Sequence, residues 1–424
     1  MDTEISGLVT RRVSRVVTDR MSDEPVIALQ GPRAVGKSTL LAELARESAA
    51  EIVDLDDPAM RVAVAADPSA FVAGLSPVFI DEYQHVPGVL DAIKAQLNRD
   101  SRPGRFVITG STRYDALPLA AQSLTGRLHL LTVWPFSQAE IEGTRTSLLS
   151  ALIDDPDALV RQSGQSETTR EQYIARIVAG GMPIPLSRPT QAGRNRWIDD
   201  YLRLVLSRDI REISRVRRGE RLPELLRRLA AQTARPLNVA AIADQAGFDR
   251  TTAGEHLALL EAVFLVMRLS AWGTTLKARV ARAPKLHIVD SGIAARLLGL
   301  TAEKLARRDP ASLSQFGHLL ETFVVGELSR DASLLDRVAA CGHWRTHDGQ
   351  EVDLVVELDD GAVLAFEVKA AGQVSTPDAR HLRALREVLG ERFLAGVSLY
   401  TGPHAYRLDD RIYALPIDRL WRES

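Results

Sequence analysis

Residues 5–21 place Ile5, Leu8, Val9, Val13, Val16, Val17 and Met21 along one stripe at helical spacing, with Arg11, Arg12, Arg15 and Arg20 around it. That pattern predicts a helix docked by a single face. The period then changes. P-V-I-A-L-Q (25–30), P-V-F-I-D (77–81) and R-F-V-I-T-G (105–110) are short continuous apolar runs separated by helical patterns, an alternation that predicts a parallel sheet. From about 136 to 236 the pattern is helical, broken at G-G-M-P-I-P (180–185). The stretch 237–261 has the texture of a helix-turn-helix: Ala240, Ile242 and Ala243 pack the first helix, Gly247 turns, and Thr251 to Glu261 forms the second. Phe264, Val266 and Leu269 would open a wing.

Near the C-terminus the period becomes two. G-Q-E-V-D-L-V-V-E-L-D-D-G-A-V-L-A-F-E-V-K-A (349–370) predicts a hairpin over the loop Asp359-Asp360-Gly361, with glycine at the left-handed position. Pairing Leu358 with Ala362 sets Leu354 opposite Phe366, Val352 opposite Val368, Asp353 opposite Glu367 and Glu351 opposite Lys369. One face is then Val352, Leu354, Val356, Leu364, Phe366 and Val368, and the other gathers the acids. Opposed like charges are unfavourable, and Mg²⁺ is the natural counter-ion for hard oxygen ligands.

Composition narrows the class. A chain of 424 residues with 45% hydrophobic and 25% charged residues is a globular protein of two to four domains. A net charge of −2 excludes a protein that is basic all over, so a nucleic-acid site must be a local patch. Residues 201–235 supply one candidate, ten Arg against four acids, with Arg208, Arg211, Arg215 and Arg218 at helical spacing; the plain alternative is a solvated helix face. Cys341 is the only cysteine, which excludes internal disulfides and thiolate zinc sites and fits the cytoplasm. The acidic start M-D-T-E-I-S-G lacks a signal-peptide core, and no 18-residue apolar run suggests a membrane span.

The chemistry begins at G-P-R-A-V-G-K-S-T, where Gly31, Gly36, Lys37 and Ser38 complete G-x-x-x-x-G-K-[ST] between a strand and a helix. Backbone amides from Gly31, Pro32, Arg33, Ala34, Val35 and Gly36 through Lys37, Ser38 and Thr39 would wrap the phosphates of ATP (Pro32, lacking an N–H, only shaping the loop). Lys37 would neutralise them and Ser38 would ligate Mg²⁺. In F-I-D-E-Y-Q, Asp81 would hold that metal and Glu82 would polarise the attacking water. Thr109 and Ser111 would sense the γ-phosphate. In a nucleic-acid reader Arg250, Thr251, Thr252 and His256 would face the groove, although Asp249 and Glu255 flank that face.

The runs G-P-R-A-V-G-K-S-T, D-L-D-D-P, F-I-D-E-Y-Q, V-I-T-G-S, S-L-T-G-R, Y-L-R-L-V-L-S-R-D-I, P-K-L-H-I-V-D-S-G-I-A, G-H-L-L-E-T-F-V-V-G-E-L and L-P-I-D-R-L-W resemble a family of bacterial and archaeal AAA+ ATPases of predicted function with a conserved C-terminal domain. The resemblance implies an AAA+ fold that assembles into a homo-oligomer or ring, with Arg127 or Arg113 completing a neighbour's ATP site. A helix Glu, a strand Asp and a following Glu-x-Lys resemble the PD-(D/E)XK nuclease fold, matched by Glu321, Asp353, Glu367 and Lys369. That resemblance implies Mg²⁺ held by Asp353 and Glu367, with Lys369 orienting the nucleophile. Non-cutting versions of such folds also exist.

The expected architecture is therefore α/β: a P-loop AAA+ core over 1–145, a helical lid over 146–200, a helical and winged-helix-like segment over 201–280, and a restriction-endonuclease-like domain over 281–424. The expected activity is Mg²⁺-dependent ATP hydrolysis directed at DNA rather than RNA, in the cytoplasm, with cleavage left open. The alternative is a nucleotide-gated switch or remodeller that cuts nothing and acts on a protein partner.

Overall fold

A computed structural model describes residues 7, 9–116, 124–213, 221–275 and 282–422. Ile5, Leu8, Arg215 and Arg218 lie outside them. The first helix runs Arg12–Arg20 and buries Val13 and Val17. Behind it lies a five-stranded sheet of β1 (Val26–Gln30), β2 (Ile52–Asp54), β3 (Val78–Asp81), β4 (Phe106–Gly110) and β5 (Leu128–Thr132), ordered β2-β3-β4-β1-β5. Every pairing in it is parallel. The continuous apolar runs follow from burial on both faces: Ile27, Leu29, Phe79 and Val107 face one cluster, and Val26, Ala28, Ile80 and Ile108 face the other.

Helices fill the middle of the chain, and one of them, Gln191–Leu204, continues through a π-helical turn at Val205–Asp209. A small antiparallel sheet follows, formed by β6 (Arg235–Pro236), β7 (Val266–Leu269) and β8 (Lys285–Ile288) in the order β6-β8-β7. Between β6 and β7 stand the helices Val239–Ala246 and Arg250–Ala262, joined at Gly247 with φ 66°. Asn238 and Asp249 cap them through the amides of Ala241 and Thr252.

The C-terminal part is a six-stranded mixed sheet of β9 (Val338–Arg345), β10 (Glu351–Leu358), β11 (Val363–Lys369), β12 (Phe393–Tyr400), β13 (Tyr406–Asp409) and β14 (Ile412–Pro416), ordered β13-β14-β12-β11-β10-β9. The 23-residue helix Pro310–Ala332 covers one face through Phe316, Leu319, Leu320, Phe323, Val324 and Leu328. The helix Arg380–Leu389 covers the other through Leu382, Leu385 and Leu389.

The β10–β11 hairpin has the expected turn, with Gly361 at φ 83° and the Leu358 amide donating to Ala362 O at 2.8 Å. Leu354 pairs with Phe366 and Val356 with Leu364. Two expectations fail beyond that point. A register shift between Val352 and Val355 against β9 turns Val352 to the Arg380–Leu389 side, away from Leu354 and Phe366. The bulge re-aims Asp353, which still lies within electrostatic reach of both Glu367 and Glu321. Glu351 also does not meet Lys369; its partner comes from another sheet, described below.

Long-range polar ties join the parts. Gly181 N–H donates to Asp290 at 2.7 Å, and a Cβ at Gly181 would lie 2.3 Å from Phe136 O. Glu327 accepts from the Gln138 amide at 2.8 Å, and Arg12 meets Asp331 at 2.7 Å. The L-P-I-D-R-L-W run is a clamp: Asp418, fully buried, accepts from Ser166 and Thr168 at 2.6 and 2.8 Å, while the Trp421 ring packs edge-on against Tyr173 and Phe323.

Candidate functional site

Strand β1 delivers the chain to a loop whose glycines have steric reasons. A Cβ at Gly31 would lie 2.2 Å from Val133 O, and Gly36, at φ 92°, starts the helix Lys37–Glu47. Ala34 adopts φ 62° without being glycine, backbone strain of the kind concentrated at functional loops. The Lys37 ammonium is buried and donates to Gly31 O at 3.1 Å and Pro32 O at 2.9 Å. Burial lowers its pKa, opposed by Glu82 and Asp81. Ser38 and Thr39 are exposed on the same turn. Arg11 braces the loop from outside, donating to Val35 O at 3.1 Å, and Arg33 pairs with Asp209 of the π-helical turn at 2.7 Å.

The ends of β3 and β4 face this loop. Burial raises the pKa of Asp81, opposed by hydrogen bonds from the Ser38 and Thr109 hydroxyls. Glu82 stands at φ 52° and is hydrogen-bonded by Gln84, which also reaches Ser111 Oγ at 3.1 Å. The Glu82 amide donates to Thr109 Oγ1 at 3.2 Å. Thr109 is fully buried, so its hydroxyl is spent on the two acids rather than offered to a phosphate. A hydroxyl and a carboxylate in contact, beside a lysine and a helix N-terminus, form a donor set that fits a phosphate-bound Mg²⁺.

The two candidate arginines part company. Arg113 donates from its backbone and its Nε to Ala262 O and Glu261 O, at 2.9 and 3.0 Å, and its guanidinium stacks on Phe264. It is tied within its own chain. Arg127 precedes β5, at the sheet edge opposite the P-loop, and donates to Asn98 Oδ1 at 2.7 Å.

In the helix pair, Arg250 and Thr251 are exposed, and Thr252 is bound to Asp249 through both its amide and hydroxyl. His256 corrects the expectation for that face. It is 2% exposed and packs edge-on against Phe248 at 5.0 Å, because its position on the helix turns inward with Ala253, Leu257 and Leu260.

The C-terminal acids meet around Asp353, which acts on Glu367 on one side and on Glu321 on the other. Glu367 is buried, with Oε2 3.0 Å from Lys369 Nζ and Oε1 3.2 Å from His381 Nδ1, and neither oxygen accepts a well-aligned hydrogen bond. Burial pushes its carboxyl up to about 7, with Lys369 opposing. Asp353 accepts the Val368 amide at 2.9 Å, just beyond the paired residues Leu354 and Phe366. Its other oxygen, together with Glu321 and Glu351, surrounds a residue the sequence pattern did not single out: Lys285 of β8, 1% exposed. The ammonium lies 2.6 Å from Glu321 Oε1, 2.9 Å from Asp353 Oδ1 and 2.5 Å from Glu351 Oε1. Burial lowers the lysine pKa but the three acids outweigh it, so it is raised overall. Glu321 rises to about 8 through burial and Asp353. Among the described residues no three His, Cys, Asp or Glu side chains are arranged to hold a metal ion. The expected Mg²⁺ does not fit this centre, because a cation is already built into it. The available signal was the surplus of acids over the single Lys369.

Residues 23–142 match the family described as AAA domain, residues 170–304 a domain of unknown function (DUF8612), and residues 316–420 another (DUF4143). The chain is 31% identical over 413 residues to the uncharacterized protein Rv2008c of Mycobacterium tuberculosis and equally to Mb2031c of Mycobacterium bovis, covering 93% of this chain and 81% of each. Among solved structures, the Walker-type ATPase PABY2304 of Pyrococcus abyssi matches 70% of this chain and 97% of its own at 17% identity and a TM-score of 0.41. The RuvB Holliday junction branch migration motor of Thermotoga maritima matches 63% of this chain and 93% of its own at 17% identity and 0.30. With TM-scores below 0.5, these two carry no argument. The AAA domain match and the mycobacterial relatives do: the chain belongs to the family of Rv2008c and Mb2031c, and it carries a P-loop ATPase domain of the AAA type.

Proposed function

We propose that this ATPase uses Mg²⁺ and ATP to act on DNA, through an AAA+ core over 1–145 and a lid over 146–200, with a winged-helix-like segment over 201–280 and a PD-(D/E)XK-like domain over 281–424. The observation that carries the catalytic part is the convergence of Lys37, Ser38, Asp81 and Glu82 at one sheet edge. In this reading Gly31 to Thr39 cradle the phosphates, Lys37 exchanges its loop carbonyls for them, and Ser38 and Asp81 hold the metal, which neutralises charge developing on the phosphoryl group. Glu82 polarises the water, and Thr109 holds Asp81 and Glu82 in place. Arg127 is the candidate to act in trans in a homo-oligomer, since Arg113 is committed to its own chain. The helix pair with exposed Arg250 and Thr251, followed by β7 and β8, supports the DNA assignment, and the lone Cys341 supports placement in the cytoplasm.

Phosphate release from the purified chain, with single-stranded, duplex and four-way-junction DNA, tests this. Hydrolysis is expected to vanish in Lys37→Ala, to fall by at least a hundredfold in Glu82→Gln, and to rise with DNA in a salt-sensitive manner. Hydrolysis indifferent to every nucleic acid would refute the DNA assignment and leave a switch acting on a protein partner.

A further inference from the structure

The C-terminal centre has the residue types of a metal site but a different cation. Lys285 lies at the start of β8, paired in register with Pro236 of β6 on one side and Leu269 of β7 on the other. Its backbone is therefore fixed by a sheet, not carried on a loop. The small sheet is in turn fastened to the C-terminal one: Trp272 N–H donates to His343 O at 2.7 Å, and His343 N–H to Ser270 O at 3.0 Å. Gly342 permits this approach, since a Cβ there would lie 2.7 Å from Ser270 O. The ammonium is thus delivered rigidly among oxygens from the helix Pro310–Ala332 and from β10.

We propose that Lys285 is the resident cation of this centre, holding Glu321, Glu351 and Asp353 in place of a divalent metal, so that the PD-(D/E)XK-like domain neither binds Mg²⁺ there nor cuts DNA. This rests on the nuclease-like reading of the domain given above. A divalent ion would have to displace an ammonium from three carboxylates or sit beside it. The first would strand a lysine that is 1% exposed without its three carboxylates, and the second is opposed by repulsion in a low-dielectric site. Charge closes without a metal: Lys285 faces Asp353 and Glu351, Glu351 also lies 3.6 Å from the Arg345 guanidinium, and Glu321, pushed up to about 8, keeps its proton near neutrality. Glu367, the other acid of the motif, is held by Lys369 and His381 rather than by Lys285. The cluster acts instead as a lock between the two sheets.

The test is a Mn²⁺ titration of the nucleotide-free full chain, read by electron paramagnetic resonance, for the wild type, Asp353→Asn, Lys285→Met and the double variant. The wild type is expected to show no Mn²⁺ site that Asp353→Asn abolishes. Lys285→Met is expected to gain one, at least tenfold tighter than any wild-type site and lost in the double variant. A wild-type site that depends on Asp353, or a folded Lys285→Met chain that gains none, overturns the proposal. If Lys285→Met does not fold, the wild type against Asp353→Asn decides alone: an Asp353-dependent site refutes it, and its absence upholds it. Phosphate release measured in parallel separates failure here from failure of the ATPase reading, since hydrolysis does not pass through Asp353.

Discussion

Replacing Glu367 by glutamine should stabilise the protein, and only above the pH at which this carboxyl ionises in the unfolded chain. The side chain is 2% exposed and its ordinary value of 4.5 is pushed up to about 7 by burial, after the attraction of Lys369 has been counted. A carboxyl whose folded pKa lies above its unfolded one binds more protons when folded, so stability is intact below pH 4.5 and declines as pH rises toward 7. From 4.5 to about 7, at 1.36 kcal/mol per pH unit, the loss is about 3.4 kcal/mol. Glutamine keeps the shape and never ionises. The stability difference between Glu367→Gln and the wild type should therefore climb by about 3 kcal/mol between pH 4.5 and 8, whatever constant offset the amide introduces. Urea unfolding in EDTA at four pH values measures it, and titrating groups remote from Glu367 cancel in the difference. A flat difference, or one that climbs toward acid, would refute the assignment of a buried carboxylate with insufficient compensation.

Arg11→Ala should cost about 3–5 kcal/mol, because it leaves Glu140, only 6% exposed, without the guanidinium 3.2 Å away; thermal unfolding checks this, and a change under 1 kcal/mol would contradict it. Gln84→Ala should lower kcat about tenfold with little change in KM, since Gln84 bridges Glu82 and Ser111 without reaching the loop; steady-state hydrolysis measures the split. Gly181→Ala should destabilise by at least about 1–3 kcal/mol, as its Cβ would meet the Phe136 carbonyl at 2.3 Å, seen as a lower Tm. Trp421→Ala should cost about 3–5 kcal/mol from a fully buried ring, read by urea unfolding.

The parallel sheet was legible because double-sided burial writes itself as V-I-A-L and V-F-I-D, and because the phosphate loop demands glycine at particular steps. The hairpin turn and the Leu354–Phe366 register were legible for the same reason: a two-residue period leaves little choice once Gly361 is placed. The bulge at Asp353 was not, because one extra residue depends on the neighbouring strand β9 rather than on β10 itself. His256 was misplaced because helical spacing alone does not say which stripe of a short helix is covered. Lys285 was invisible for a deeper reason. A lysine opening the run K-L-H-I-V reads as a solvated strand end, and only the fold brings it to acids at positions 321, 351 and 353.

The same contacts explain why motifs so far apart in the chain belong together. Arg11 holds the phosphate loop at Val35 O, and its neighbour Arg12 meets Asp331 near the end of the long helix. Ten residues earlier on that helix stands Glu321, so at 1.5 Å per residue the Lys285 lock is about 15 Å from the P-loop brace along one continuous rod. A second tie leaves β4, where Arg113 grips the last carbonyls of the helix Arg250–Ala262, and Glu261 of that helix pairs with Arg268 of β7. Strand β7 is bonded to β8, which carries Lys285. The lock is therefore reached from the nucleotide site by two separate chains of contacts.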